Sequence, residues 1–325
     1  MNIHSEVLTA RATSSFPARN GSLARALLFI VAFGAIAGCA SAPTSVPIDE
    51  PRLASERRHL ARIALDSWED ERRRVYVVSH RLLKAADDSG QCHSLRATRG
   101  VLLQDLSSLP PGLAAEVEHD GTLSGGLPVI GIDLQAAAQT QLRIGDVVTA
   151  IDGKSATSVP GDWDSEHPIE VTVSRNGAPL DFRLQSHRLC DIPVVLDESH
   201  DTGASESFGD ARVQQGLVQA LPDDDSLALV LGHEFGHIMS GDSSLVRIFD
   251  RARSQEQERR ADAFGLRLLT AAGYDPHRVQ DVWERLARVD PDRVGQSWLK
   301  DHPLRAERSL RMKDAISAGD NSPGS

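Results

Sequence analysis

His233 and His237 stand four residues apart, with Glu234 directly after the first, in the string His233-Glu234-Phe235-Gly236-His237. On an α-helix, positions i and i+4 share a face one turn apart, so both imidazoles can reach a single ion. Glu234 lies about 100° around the axis from His233. Its carboxylate can lean over that ion without being a ligand, where a general base for a metal-activated water must be. Gly236 leaves this part of the helix without side-chain bulk. The flanking runs, Leu227 to Leu231 and Ile238-Met239, are apolar, and a helix apolar on nearly all sides is buried. Buried histidines and a buried glutamate need partners to offset their desolvation, and a metal supplies one.

A catalytic zinc takes three protein ligands and leaves the fourth position to water. Ser240 and Ser243 stand where an extended third-histidine motif would place its Gly and His. A carboxylate on a second helix is the other solution. Residues 252–272 read as a helix closed by Gly273, and in it Glu258 and Asp262 are four apart on one face that Leu266 and Leu269 continue. Glu258 is therefore expected as the third ligand, and Asp262 as the acceptor that orients a ligand histidine. Glu256 is a rival ligand, but it sits off the Asp262 face.

The element carrying the histidines is expected to open at Pro222-Asp223 and to close at Ser240-Gly241. Helix capping and the dipole account for the acidic run Asp223-Asp224-Asp225 better than a calcium site does.

Three strings in order, His233-Glu234-x-x-His237, Glu258-x-x-Ala261-Asp262-x-x-Gly265 and Trp298-Leu299-x-x-His302-Pro303 followed by Arg308, resemble the M48 (Ste24/HtpX-like) gluzincin metallopeptidases over about residues 190–315. The resemblance implies one Zn²⁺ per chain on His233, His237 and Glu258, with Glu234 as general base. It also implies that His302 and Arg308 lie over the metal, as contacts to the substrate carbonyl or oxyanion, or with His302 as a gate that visits the metal. It places an extended peptide substrate along an edge strand near Ser207 to Val218.

Upstream, Leu142-Arg143-Ile144-Gly145-Asp146-Val147-Val148 with Ile151-Asp152-Gly153 resembles the second half of a bacterial PDZ domain, over roughly residues 127–186. Val129 to Ile132 reads as a strand. Alternating residues around Asn176-Gly177 read as a hairpin over 171–184. Ser155 to Pro168, where a peptide-groove helix would belong, holds Pro160, Gly161 and Pro168 and is a poor helix. Peptide binding or a plain spacer both remain open for this module. Leu53 to about Ala86 has apolar positions at steps of three and four and reads as an amphipathic helix. Val101 to Leu106 reads as a strand, and Leu109 to Gly126 as loop.

The N-terminus reads as an address. Arg11, Arg19 and Arg25 precede the apolar run Ala26 to Ala37, and Ile36-Ala37-Gly38-Cys39 resembles the bacterial lipobox. The resemblance implies cleavage before Cys39, lipid on that residue, and an outer-membrane anchor facing the periplasm. Cys92 and Cys190 then form an even pair in an oxidising compartment, open to either a disulfide or two buried thiols.

The expected fold is α+β: a mainly helical gluzincin metallopeptidase domain with a small edge sheet, preceded by a β-rich PDZ-like module and an N-terminal amphipathic helix. Its divisions are 1–38 signal peptide, 39–52 tether, 53–126 helix and loop region, 127–188 PDZ-like module, 189–318 peptidase and 319–325 disordered tail. The chain has 325 residues, 40% of them hydrophobic, enough for a core. A net charge of −11 and 4% aromatics exclude a protein built to grip nucleic acid or stack bases. The expected activity is zinc-dependent endopeptidolysis of unfolded or misassembled envelope proteins, with membrane contact through the lipid. The alternative is a lipid-anchored, non-catalytic chaperone or adaptor whose zinc site is latched by His302. Nothing in the sequence sets the oligomeric state.

Overall fold

The computed structural model describes residues 48–207, 209–242, 251–291 and 306–320. Cys39, the segment expected as a signal peptide, and His302 lie outside the described residues.

Helix α1 (Glu50–Asp88) has a proline in its first turn and runs 39 residues. It therefore starts inside the stretch expected as tether. Leu65, Trp68, Val75, Val78, Leu82 and Ala86 recur at helical spacing and are buried, whereas Leu60 and Ile63 nearer the start are exposed. Its second half joins the main core. That half meets Leu189, Leu217, Leu227, Leu231, Phe235 and Leu269 from the C-terminal region.

Strands β1 (Leu95–Thr98) and β2 (Val101–Leu103) follow, then a 3-10 turn, Leu106–Ser108, and α2 (Pro111–Asp120). The last corrects the expectation of a loop over 109–126. Pro111 fits the first turn of a helix, where its missing N–H costs nothing, and Gly121 closes the helix in the left-handed conformation (φ 65°). Proline and glycine, which break a helix internally, here start and stop one.

The β-rich part comprises β3 (Leu127–Ile132), α3 (Leu134–Gln139), β4 (Val147–Ile151), β5 (Lys154–Ser155), β6 (Ile169–Arg175) and β7 (Ala178–Leu184). Its sheet runs β2-β3-β4-β6-β7, with β5 paired to β4. The outer strand β2 thus comes from upstream of residue 127. Asn176 (φ 55°) and Gly177 (φ 80°) make the β6–β7 turn in the left-handed region that a tight hairpin requires. Val101, Leu103, Leu127, Val129, Val148, Val171, Val173 and Leu184 form a separate core with Trp163. Residues 156–168 form no helix. Trp163 anchors them instead, donating from Nε1 to the Val101 carbonyl at 3.1 Å.

Strand β8 (His187–Cys190) returns to pair antiparallel with β1, placing Thr98 opposite His187 and Leu95 opposite Cys190. Cys92 and Cys190 are joined in a disulfide, with Cα atoms 5.2 Å apart.

The C-terminal region begins with β9 (Val194–Asp197), β10 (Ala204–Ser207) and β11 (Asp210–Gln214), followed by α4 (Gln215–Ala220). Strand order is β10-β11-β9. This corrects the expected substrate edge at 207–218. Residues 210–214 occupy the centre of the sheet, 215–220 turn into a helix, and the edges of the described sheet are β10 and β9. Then come α5 (Asp224–Ser240), α6 (Arg251–Ala271), a 3-10 turn Pro276–Val279, α7 (Val282–Val289) and α8 (Ala306–Asp320). Helix α8 extends to the second residue of the expected disordered tail. Among the described residues no helix is long and apolar enough to cross a membrane.

Candidate metal centre

Helix α5 is built as its sequence directs. The Asp223 carboxylate caps it by accepting from the Ser226 N–H at 2.8 Å, and Asp224 and Asp225 sit in the first turn. Gly241 ends it in the left-handed conformation (φ 62°). Residues Leu231 to His237 are all buried. Helix α6 passes close by. A Cβ on Gly236 would lie 3.0 Å from the Ala261 Cα and 3.2 Å from the Phe264 Cβ, so the missing side chain lets the two helices meet.

That approach brings Glu258 and Asp262 of α6 to the histidines of α5. His233 Nε2 is 3.5 Å from Glu258 Oε2, and His237 Nε2 is 3.5 Å from Glu258 Oε1. The two Nε2 atoms are 3.1 Å apart. Each imidazole has a carboxylate behind it: His233 Nδ1 is 2.9 Å from Asp262 Oδ1, and His237 Nδ1 is 3.0 Å from Asp242 Oδ2.

The tautomers follow. An ionised carboxylate only accepts, so each Nδ1 carries the proton and donates it. Burial pushes His233 below its usual pKa although Asp262 and Glu258 pull the other way, so the ring is neutral with its lone pair on Nε2. Two imidazole lone pairs and a carboxylate therefore face one another inside the protein. Neutral imidazole with carboxylate oxygen is a donor set that suits zinc. The residues present fit a divalent metal.

Arg308 of α8 is buried beside them. Its Nε donates to Asp262 Oδ2 at 2.7 Å and its Nη2 to Asp262 Oδ1 at 2.6 Å, while Nη1 lies 2.9 Å from Glu258 Oε2. Burial alone would raise the Asp262 carboxyl, but Arg308 and His233 outweigh it and hold it at about 2. Burial likewise works against the Arg308 charge, and Asp262 and Glu258 reverse this, so the guanidinium is held more firmly protonated than usual. The guanidinium also stacks over the Trp283 ring, 4.7 Å from its centroid. Arg308, expected as an oxyanion contact, has its fork engaged by Asp262 and Glu258.

Glu234 is buried one residue along from His233. Glu256, the rival ligand, is exposed and pairs with Arg259 at 2.6 Å. Asp242 was missed in the sequence. It sits just past the glycine that ends α5, where the chain turns back, and it also accepts from Arg260 Nη2 at 2.9 Å. An acid directly after a helix-ending glycine, five residues beyond a ligand histidine, was the available signal.

Residues 202–252 and 243–316 match the family described as Peptidase family M48. The C-terminal region thus carries an M48 peptidase domain. Its M48 domain is that of a metalloendopeptidase, and the curated relatives agree. Over 243 residues the chain is 24% identical to the metalloprotease LoiP of Escherichia coli (strain K12), covering 62% of this chain and 90% of that one. It is 25% identical over 239 residues to the metalloprotease YcaL of the same organism, covering 61% and 93%. A 135-residue stretch is 28% identical to the mitochondrial metalloendopeptidase OMA1 of Arabidopsis thaliana, covering 33% of this chain and 28% of that one.

Proposed function

We propose that this M48 metallopeptidase is a zinc-dependent endopeptidase that removes unfolded or misassembled proteins from the bacterial cell envelope, held to the periplasmic face of the outer membrane by lipid on Cys39. The observation that carries the catalytic part is the convergence of His233, His237 and Glu258 through their lone-pair atoms, with Glu234 on the same helix. The envelope location rests on the lipobox-like string before Cys39. An oxidised Cys92–Cys190 pair fits that compartment.

His233, His237 and Glu258 would hold the zinc. When bound, the metal polarises the peptide carbonyl and acidifies the attacking water. Glu234 takes the proton from that water onto a carboxylate oxygen and passes it to the departing amine nitrogen as the peptide bond breaks. Asp262 and Asp242 keep both imidazoles in the tautomer that presents Nε2. Arg308 holds Asp262 and Glu258 in place, so it is a positioning residue. His302 remains the group assigned to the carbonyl oxygen. Strand β10, an edge of the described three-stranded sheet beside α5, would receive the substrate backbone as an added strand. The β-rich part, read as PDZ-like, is either a second peptide-holding surface or a spacer.

The test compares cleavage of an unfolded generic protein by the zinc-loaded chain and by its Glu234→Gln variant. Cleavage by the first alone, with equal zinc in both, supports the reading. Equal turnover in the variant removes Glu234 as the base. No cleavage by either favours a chaperone or adaptor.

A further inference from the structure

A second cluster lies outside the peptidase site. His80 comes from α1, Asp133 from the junction of β3 and α3, and His187 from the start of β8, so three separate elements meet at one point. His80 Nδ1 is 2.8 Å and His187 Nε2 is 2.9 Å from the same atom, Asp133 Oδ2. All three residues are buried. Among the described residues only two groups of three or more histidines, cysteines and acids bring ligand atoms within 4.8 Å of one another; this is one, and His233, His237 and Glu258 are the other. Both consist of two imidazoles and a carboxylate.

The carboxylate is fixed from behind. Asp133 Oδ1 accepts from the Ala136 N–H at 2.7 Å, capping α3, and the Asp133 N–H donates to the Gly100 carbonyl at 2.8 Å. A Cβ on Gly100 would come within 2.4 Å of Asp133 Oδ1, so the carboxylate occupies space that only glycine leaves. The cap uses one oxygen and leaves Oδ2 for the two rings.

An ionised carboxylate only accepts, so His80 Nδ1 and His187 Nε2 carry the protons donated to Asp133, and a metal would take the place of those two protons. His187 Nδ1 is buried with no hydrogen-bond partner. Burial also pushes His80 below its usual value, although Asp133 pulls the other way. Asp133 is held well below the carboxylate range: burial would raise it, but the His187 and His80 hydrogen bonds outweigh that. A cavity of about 340 Å³ opens onto all three residues and gives an ion a way in. The cations on its wall are already engaged. Arg81 donates to the Ala272 and Gly273 carbonyls, and Lys84 pairs with Asp88.

We propose that His80, Asp133 and His187 bind a second divalent first-row transition metal, distinct from the one in the peptidase site. Bound there, the ion ties α1 and β8 to the β-rich part. His187 lies three residues before the disulfide-bonded Cys190, so metal and disulfide would secure the same strand. The site assists folding and takes no part in peptide cleavage. It does not depend on the peptidase reading.

The test strips the full chain of metal with a chelator, reloads it with Zn²⁺ and counts zinc per chain. The native chain should take two equivalents. The His233→Ala/His237→Ala double variant should keep one, and Zn²⁺ should still raise its Tm. Asp133→Asn, close in shape, and His187→Gln should each hold one equivalent while retaining peptidase activity. A double variant that holds no zinc and shows no Tm response overturns the proposal without altering the second cluster, so a misfolded Asp133 or His187 variant cannot obscure the result. Zinc lost from the Asp133→Asn variant but not from the His233→Ala/His237→Ala variant would support the second site and count against the peptidase ligands instead.

Discussion

Gly265 of α6 packs directly on the backbone of His233: a Cβ at residue 265 would lie 2.8 Å from the His233 nitrogen. Gly232 meets it from the other side, where a Cβ would be 3.1 Å from the Gly265 Cα. The helices that carry the ligand histidines and Glu258 therefore cross with no side chain between them. Gly265→Ala gains about 1 kcal/mol of helix propensity, but it must push α6 away from His233, and overpacking costs about 1–3 kcal/mol. We expect a lower Tm together with weaker zinc binding, since the same shift moves Glu258. A stabilised variant with unchanged zinc affinity would show that the crossing yields freely.

Arg308 should not tolerate replacement by lysine. A single ammonium cannot span both oxygens of Asp262 and reach Glu258 as the guanidinium fork does. Arg308→Met leaves buried carboxylates without their counter-charge, a loss of about 3–5 kcal/mol. Support lost from a ligand's hydrogen-bond partner should also weaken metal binding about 10–100-fold. Urea unfolding and competitive zinc titration of both variants check this, with Arg308→Lys expected between native and Arg308→Met.

The disulfide should be a large contributor to stability. Cys92 and Cys190 are 98 residues apart in sequence, and in the chain-entropy account closing such a loop is worth about 4–5 kcal/mol. A Cys92→Ser/Cys190→Ser variant should lose most of that in denaturant unfolding, and a reductant should bring the native chain to the same midpoint.

Acid should weaken the β-rich part through Asp146. Its buried carboxylate accepts from Arg175 Nε and Nη2, both at 2.7 Å, and from the Arg143 N–H at 2.8 Å. The Arg175 hydrogen bond holds its pKa below the ordinary 3.8, more than offsetting burial. A depressed carboxylate pKa contributes stability that is complete above the unfolded value and disappears as pH falls through the folded one. The stability gap between the native chain and Asp146→Asn should therefore be widest near neutrality and narrow below pH 3.8. A gap independent of pH would mean that the pair contributes through shape alone.

The residues brought together by a single helix could be read from the sequence. His233 with His237, and Glu258 with Asp262, are each one turn apart, and that spacing needs no knowledge of tertiary structure. The buried apolar positions of α1 and the Asn176-Gly177 hairpin were legible for the same reason. What escaped depends on contacts between distant segments. Asp242 reaches His237 only because Gly241 turns the chain back. Arg308 reaches Asp262 because α8 packs over α6, 46 residues later. The resemblance put a substrate edge in the stretch before the metal helix, at 207–218, but a position in sequence does not say which strands pair, and residues 210–214 lie between β10 and β9. His80, Asp133 and His187 share no local pattern, so only the fold could join them.

The pairing of β1 with β8 makes residues 99–186 an excursion that leaves and re-enters the structure at nearly one point, since Thr98 stands opposite His187. A change of length within the excursion would leave its entry and exit side by side, provided Asp133 keeps its place between His80 and His187. The second half of α1 meets the peptidase core directly, so the enzyme's own framework does not pass through the inserted sheet.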